Sequence, residues 1–167
     1  MADDDVVTVL TGQHRRLEAQ LKALLDAAEG GDDDCIALLV RAGDELAVHI
    51  LAEERIVYPA VHAARTENIL LESLEEHLSL KRLLADLLAL APDDTTFQPK
   101  CKVLEEQARH HHKEEEEHLF PKMRRLLDAP SRRAMGAAVR HHEAALRASG
   151  DPRERVTEQT DAAAPLP

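Results

Sequence analysis

The sequence contains very few aromatic residues: two phenylalanines, one tyrosine and no tryptophan among its 167 residues. Cysteine is equally scarce, with only Cys35 and Cys101, so a disulfide-rich scaffold is excluded and we expect two free thiols buried as small core residues. A core with so few rings has to be built from aliphatic side chains, and hydrophobic residues make up 44% of the chain. This composition favours packed helices in one all-α domain.

Positive charge is also in the minority, because 21 Lys and Arg residues stand against 32 Asp and Glu, for a formal net charge of -11. An acidic surface repels phosphates, so we expect no nucleic-acid partner. The apolar stretch LLADLLALA is too short to span a membrane and is broken by Asp86. The N-terminal segment MADDDVV lacks the basic start and apolar stretch of a signal peptide. We therefore expect a cytoplasmic protein that does not bind membranes.

Hydrophobic periodicity predicts four long helices and a shorter fifth one, over residues 6–28, 34–65, 68–90, 97–128 and 129–149. The segment EGGDDD ends the first helix, and Pro59 and Pro121 are expected to kink or divide the second and the fourth. Four long helices with short loops predict an up-down-up-down four-helix bundle, which together with the fifth helix forms a domain over residues 1–148. Residues 149–167 have few apolar side chains and are predicted to be a disordered tail.

The chain repeats itself at an offset of 62 to 63 residues. HILAEERIVYP at residues 49–59 aligns with HHKEEEEHLFP at 111–121, with histidine first, glutamates fifth and sixth, an aromatic residue tenth and proline eleventh. Upstream, His14 and His77 are each followed by three leucines at the same spacings. The first two helices are therefore echoed by the next two, which predicts two helical hairpins related by a pseudo-two-fold axis.

The inward stripes of this repeat carry histidine and glutamate. In each half one histidine and one glutamate are four residues apart, so both side chains lie on the same helix face. Buried carboxylates without partners are costly unless protons or a cation neutralise them. A single such histidine is more often a hydrogen-bonded core residue, but agreement across both halves favours a metal site, and two shared carboxylates favour two ions of iron or manganese. The predicted ligands are His14, His49, Glu53, His77, His111 and Glu115.

The run of three histidines at 110–112 leaves a choice of register. Counting back from the shared proline makes His111 the counterpart of His49, and periodicity places His111 on the apolar stripe and His112 on a charged face. The repeat therefore predicts that His111→Ala removes most of the metal and that His112→Ala leaves metal binding nearly unchanged. The alternative, in which His112 and Glu116 replace His111 and Glu115, stays open from the residues alone.

On these motifs the sequence resembles the hemerythrin-like, or HHE cation-binding, family. The resemblance rests on QHRRLEAQL, HILAEERIVYP, EEHLSLKRLL and HHKEEEEHLFP, and it covers about residues 6–128. It implies a four-helix bundle around a non-haem di-iron centre bridged by an oxygen species and two carboxylates. Carried over by position, the ligands would be His14 and His49 for one iron, His77 and His111 for the other, and Glu53 and Glu115 as bridges.

Two positions depart from the oxygen-carrying members that the sequence resembles. Those proteins usually have a second histidine four residues after the third-helix ligand, where this chain has Lys81, with Glu18 at the equivalent place in the first half. A charged lysine is a poor ligand, so the resemblance implies an open position on the second iron or a substitute such as Glu76. Those carriers also bridge with one aspartate, where this chain has Glu115.

An open coordination position favours reaction with a small molecule over its storage. The predicted function is therefore a di-iron protein that senses or handles dioxygen, peroxide or nitric oxide. A catalase-like di-iron peroxidase, an oxygen-storage protein and a bundle in which the metal is purely structural are the alternatives.

Overall fold

Helices are the only regular secondary structure in residues 4–167, the part of the chain that the computed structural model describes. The first three residues of the predicted 1–148 domain lie outside it. In chain order the elements are α1 (Val6–Gly30), α2 (Cys35–Ala52), a π-helical turn π1 (Glu53–Val57), α3 (Tyr58–Val61), α4 (Glu67–Ala89), α5 (Phe97–Glu114), a second π-helical turn π2 (Glu115–Leu119), α6 (Phe120–Leu126), α7 (Ala129–Ala148) and α8 (Pro152–Thr157).

The long helices pack side by side as a helical bundle: α1 contacts α2 and α5, and α4 contacts α5 and α2. Gly31 ends α1 with a positive φ of 67°, and its N–H donates to the carbonyl of Ala27, so the glycine stop expected from the sequence is present. The predicted all-α class is confirmed, and the helix ends differ from the predicted ones by a few residues. The up-down-up-down order remains a prediction from the short connections.

The core is divided into two apolar clusters with a polar layer between them. Along α1, Leu10 belongs to one cluster and Leu17 to the other. Along α4, Leu74 and Leu80 are divided in the same way. In each helix a fully buried histidine lies between the two leucines, His14 in α1 and His77 in α4. The aliphatic clusters therefore surround the polar layer on both sides and exclude water from it.

The second and fourth predicted helices are not divided at their prolines but widen by one residue into a π turn. The N–H of Tyr58 donates to the carbonyl of Glu53, and the N–H of Phe120 donates to that of Glu115, five residues back in both cases. Each turn closes one residue before a proline, which has no N–H and would crowd the carbonyl of the preceding turn. The two π turns thus begin at the two glutamates that the repeat singles out.

The fifth helix, α7, runs beside the bundle against α1, α2 and π1. Its Gly136 faces the backbone before α1, where an added Cβ atom would lie 1.7 Å from the carbonyl oxygen of Asp4. Any side chain at position 136 would therefore separate α7 from the start of α1. Asp128 begins α7 by accepting a hydrogen bond from the N–H of Ser131 at 2.8 Å.

The C-terminal segment differs from the predicted disordered tail, because it forms α8 and then follows the bundle surface. Val156 of α8 is fully buried in the core that α2 and α4 share. Arg153 forms an ion pair with Asp44 at 3.1 Å, and Arg82 donates to the carbonyls of residues 160 and 161 at 2.8 and 3.0 Å. Composition missed this because a few scattered apolar side chains, among them Val156 and Leu166, and a few directed polar contacts hold the segment. Within residues 4–167 no helix has the length and apolar character needed to cross a membrane.

Candidate metal centre

The six predicted ligands all lie in the polar layer, and a seventh side chain, that of His112, joins them. Their ligand atoms form three overlapping groups with all distances inside 4.8 Å. We name His14, His49 and His112 half-site 1, and His77 and His111 half-site 2. Glu53 and Glu115 lie between the two.

Each inner carboxylate approaches one histidine of each half-site. Glu53 Oε2 lies 3.3 Å from His49 Nε2 and 3.2 Å from His77 Nε2. Glu115 Oε2 lies 3.2 Å from His14 Nε2 and 3.6 Å from His111 Nε2. All six side chains are 0 or 1% exposed. Both glutamates are therefore placed where one carboxylate can serve two neighbouring positions.

An outer ring of acceptors holds the Nδ1 atoms of the histidines, so that each Nε2 atom faces the centre. Glu116 lies 2.8 Å from His14 Nδ1, Gln13 lies 3.0 Å from His49 Nδ1, and Glu18 lies 3.0 Å from His112 Nδ1. In half-site 2, Glu54 lies 3.1 Å from His77 Nδ1, and Glu76 lies 2.6 Å from His111 Nδ1. Such partners fix the ring orientation and tautomer of a metal-binding histidine.

The centre holds a concentration of buried polar atoms that have no hydrogen-bond partner. Across residues 4–167 seven buried side-chain atoms lack a partner, and five of them belong to this cluster. They are His14 Nε2, His49 Nε2, His112 Nε2, Glu53 Oε1 and Glu115 Oε2. Orphaned buried polar atoms are rare in folded proteins, and converging nitrogen and carboxylate lone pairs are the donor set of a metal site. The residues present therefore fit a metal.

The negative charge of the inner carboxylates raises the pKa of three histidines in the metal-free chain. Burial opposes protonation of His111, but the carboxylates of Glu115 and Glu53 outweigh it and raise its pKa well above the ordinary value. The same balance raises the pKa of His14 and of His77. Although burial favours the neutral acid, His111 and His14 hold the pKa of Glu115 well below its usual range. The same buried negative charge that favours proton binding by these imidazoles would favour a cation.

The other two histidines behave in the opposite way. Burial, reinforced by the neighbouring His14, lowers the pKa of His49 well below the usual range. Burial also lowers the pKa of His112 to about 3, although its bond to Glu18 acts against this. Both rings are neutral at physiological pH, so their unpartnered Nε2 atoms carry lone pairs.

The prediction for His112 was wrong in placing this residue on a charged outer face. Its side chain is 1% exposed and stacks on His14 with ring centroids 4.0 Å apart. His111 is also 1% exposed, so both adjacent histidines point inwards and neither excludes the other from the centre. A signal was available in the repeat: His112 aligns with Ile50, which is itself buried. Two adjacent residues can both face the core of a bundle whose apolar stripe is wide.

Lys81, which occupies the place where the resemblance implied a missing histidine ligand, contacts a carboxylate of the outer ring. Its Nζ atom turns away from the centre and lies 2.9 Å from both carboxylate oxygens of Glu54. Glu76 is not a substitute ligand either, because it accepts from the outer nitrogen of His111. Glu18 likewise belongs to the outer ring.

Tyr58 is a functional candidate that the sequence reasoning missed. Its hydroxyl group donates to Glu115 Oε1 at 2.7 Å and lies 3.2 Å from Glu53 Oε2 and 3.3 Å from His77 Nε2. Burial and the two carboxylates raise its pKa well above the ordinary tyrosine value, so the phenol keeps its proton. The signal lay in the repeat, where the aromatic place is tyrosine in one half and phenylalanine in the other.

Comparison with known families agrees with this arrangement. The family model described as the hemerythrin HHE cation-binding domain matches residues 5–123, which is most of the chain. The chain belongs to the hemerythrin HHE family. No curated relative and no solved structure matches it significantly. The family match ends at residue 123 and so contains all five histidines of the centre, whereas α7 and α8 lie beyond it.

Proposed function

We propose that this hemerythrin-family protein binds two iron ions in an oxygen-bridged di-iron centre and uses them to sense or handle a small oxidant: dioxygen, peroxide or nitric oxide. The observation that carries the proposal is the overlap of two ligand groups on one shared carboxylate, that of Glu53. Glu53 belongs to one group with His49 and to another with His77. A carboxylate shared by two groups of ligand atoms suits two adjacent ions better than one.

The assignment of ligands follows the half-sites. His14, His49 and His112 would hold one ion, His77 and His111 the other, and Glu53 and Glu115 would bridge them. Bound iron would supply the redox change and the coordination position through which a small oxidant reacts. The protein supplies the rest: the outer acceptors fix the ring orientations, and the two apolar clusters keep bulk water away.

Half-site 2 has one histidine fewer than half-site 1 and a phenol in addition. Tyr58 keeps a proton within hydrogen-bonding distance of Glu115, and through that carboxylate it borders both half-sites. A held proton beside a less crowded position favours conversion of an oxidant over its reversible storage. This observation supports the catalase-like peroxidase as the second candidate function.

A surface cavity lies beside the outer residues of half-site 2. It has a volume of about 630 Å³ and lies between π1 and the C-terminal segment, with Glu54 and Lys81 in its wall. Glu54 is the residue that holds His77. Glu54 thus joins the wall of this cavity to half-site 2.

The test is metal analysis of the purified protein, followed by absorption spectroscopy of the reduced, iron-loaded form. We expect about two iron ions per chain. A reversible spectral change with dioxygen or nitric oxide would support sensing or binding, and repeated consumption of peroxide would support the peroxidase. A metal that gives no spectral response to any of the three, and whose removal by a chelator lowers only thermal stability, would show a structural role and overturn the proposal.

A further inference from the structure

The chain continues beyond the family match with α7, α8 and the segment that follows, and we name residues 129–167 the C-terminal extension. We propose that this extension positions one histidine of each half-site: His49 through a relay from α7, and His77 through a relay from the segment after α8. The inference deepens the proposed function and rests on it, because it treats both histidines as parts of the metal centre.

The first relay runs from α7 through α1 to α2. Glu143 of α7 accepts a hydrogen bond from the side-chain amide of Gln13 at 3.2 Å. The amide oxygen of Gln13 lies 3.0 Å from His49 Nδ1. Gln13 is fully buried, whereas Glu143 lies at the surface between Arg147 at 3.0 Å and Arg16 at 3.6 Å. Between these two cations the Glu143 carboxylate serves as a hydrogen-bond acceptor.

This geometry fixes the tautomer of His49. Because the Glu143 carboxylate needs a donor, the NH₂ group of Gln13 must face it, and the amide oxygen must face His49. An oxygen acceptor at this place requires His49 Nδ1 to carry the hydrogen. The nitrogen left free in the neutral ring is then Nε2, which faces the centre. Glu143 thus determines, across two helices, which nitrogen of His49 is available to a metal.

The second relay runs from Gln159, in the segment after α8, to half-site 2. The side-chain oxygen of Gln159 accepts from Lys81 Nζ at 2.9 Å. Lys81 also contacts both oxygens of Glu54 at 2.9 Å, and Glu54 Oε1 lies 3.1 Å from His77 Nδ1. The three N–H groups of the ammonium ion therefore have three acceptors.

Gln159 matters because Lys81 is buried, with 1% of its surface exposed. Without the Gln159 oxygen one N–H of a buried ammonium group would lose its acceptor, which is costly. Lys81 would then turn towards water and release Glu54, the carboxylate that orients His77. The two relays thus use different residues to support different half-sites.

Nuclear magnetic resonance of the ¹⁵N-histidine-labelled, full-length protein after metal removal tests the relays. In the unchanged chain we expect His49 as a single tautomer with hydrogen on Nδ1. Glu143→Gln should produce a mixture of His49 tautomers, since a glutamine at this position can donate as well as accept, and should leave the His77 signals unchanged. Gln159→Leu should shift and broaden the His77 signals and leave those of His49 unchanged. Glu154→Gln, an exposed change on α8 outside both relays, is the control.

A conservative replacement separates positioning from general damage: Gln159→Glu keeps an oxygen acceptor for Lys81 and should keep the His77 signals. Cobalt titration of the same variants provides a second measurement, with a loss of affinity of about tenfold or more confined to one binding step per variant. A His49 ring with hydrogen on Nε2 in the unchanged chain, or equal effects of all variants on both histidines, would overturn the inference. Failure of the proposed function is distinguishable, because the tautomer is measured without metal.

Discussion

Half-site 1 and half-site 2 are built on the same repeated scaffold, yet they differ at matched positions. The scaffold repeats closely: both π turns start at an inner glutamate, and the glutamate that follows it holds a histidine of the other hairpin. The differences are in the groups added to it. The place of His112 in one half is taken by Ile50 in the other, and Tyr58 corresponds to Phe120. The repeat thus gives the two half-sites a common geometry, and the residues that differ between the halves give each half-site a different set of polar groups.

The residues behind the histidines also differ in charge. The neutral amide of Gln13 lies behind His49, whereas the carboxylate of Glu76 lies behind His111 at 2.6 Å. A carboxylate partner makes an imidazole a stronger base and ligand than an amide does. Half-site 1 thus has three histidines, one of them with a neutral partner. Half-site 2 has two histidines, both with carboxylate partners, and a phenol beside His77. We expect the two ions to differ in affinity and in reactivity.

The largest effect is expected from removing what the half-sites share. Glu53→Gln takes away a buried carboxylate that approaches His49 and His77, so both steps of a cobalt titration should weaken by more than the roughly 100-fold typical of changes outside the ligand set. Glu54→Gln makes the same chemical change one residue later, where the carboxylate contacts only one histidine of the centre, His77. It should weaken one step only. Equal losses in both variants would mean that Glu53 is not shared.

The second test removes His112, the additional histidine of half-site 1. His112→Ala should remove metal from half-site 1 and leave half-site 2 loaded, reducing the metal content towards one ion per chain, because Ala provides no Nε2 donor at this place. His110→Ala is the matched control, since this neighbour is 64% exposed, and it should leave the metal content unchanged. Full loading of the His112→Ala protein would restore the original prediction that His112 lies outside the site.

Much of this centre could be predicted from the sequence because its spacing is governed by the helix. A histidine and a glutamate four residues apart must share a face, and agreement between the two halves identified which of them face inwards. Tyr58 and His112 were missed for a common reason. Both interrupt the repeat, and alignment of the halves finds what the halves share and overlooks what distinguishes them.

The outer ring and the C-terminal extension could not be predicted for a different reason. Whether Lys81 reaches the centre or Glu54 depends on side-chain direction, which periodicity does not give. The position of the segment after Gly150 depends on contacts such as that of Arg153 with Asp44, between residues far apart in the chain. A pattern read along one helix carries no information on such pairs.

The third test exchanges the aromatic groups. Tyr58→Phe removes a donor from the buried Glu115 while keeping the ring that stacks on His77, so the metal-free protein should lose about 2 kcal/mol of unfolding free energy. It should also slow any consumption of peroxide. Phe120→Tyr adds the hydroxyl group beside His14, on which Phe120 stacks. A role for the phenol itself requires that peroxide turnover is lost in Tyr58→Phe and kept in Phe120→Tyr. Equal turnover in the two variants would count against that role.

The smallest effect distinguishes adjacent histidines by the pH dependence of stability. The folded-state pKa of His112 is about 3, below the ordinary value, so between about pH 6.5 and 3 the unfolded chain binds a proton that the folded chain does not, and stability falls as the pH falls. Between pH 6.5 and 5.5 the free energy of unfolding of His112→Phe should therefore fall by about 1 kcal/mol less than that of the unchanged metal-free protein.

His111 has a raised pKa, so its contribution to the free energy of unfolding is fully present below about pH 6.5 and is lost as the pH rises through its folded-state pKa. The disadvantage of His111→Phe should accordingly be greatest in acid and shrink as the pH rises. Urea unfolding of the chelator-treated proteins at several pH values measures both trends, and parallel curves for the two variants would contradict the opposite charge states assigned to these neighbours.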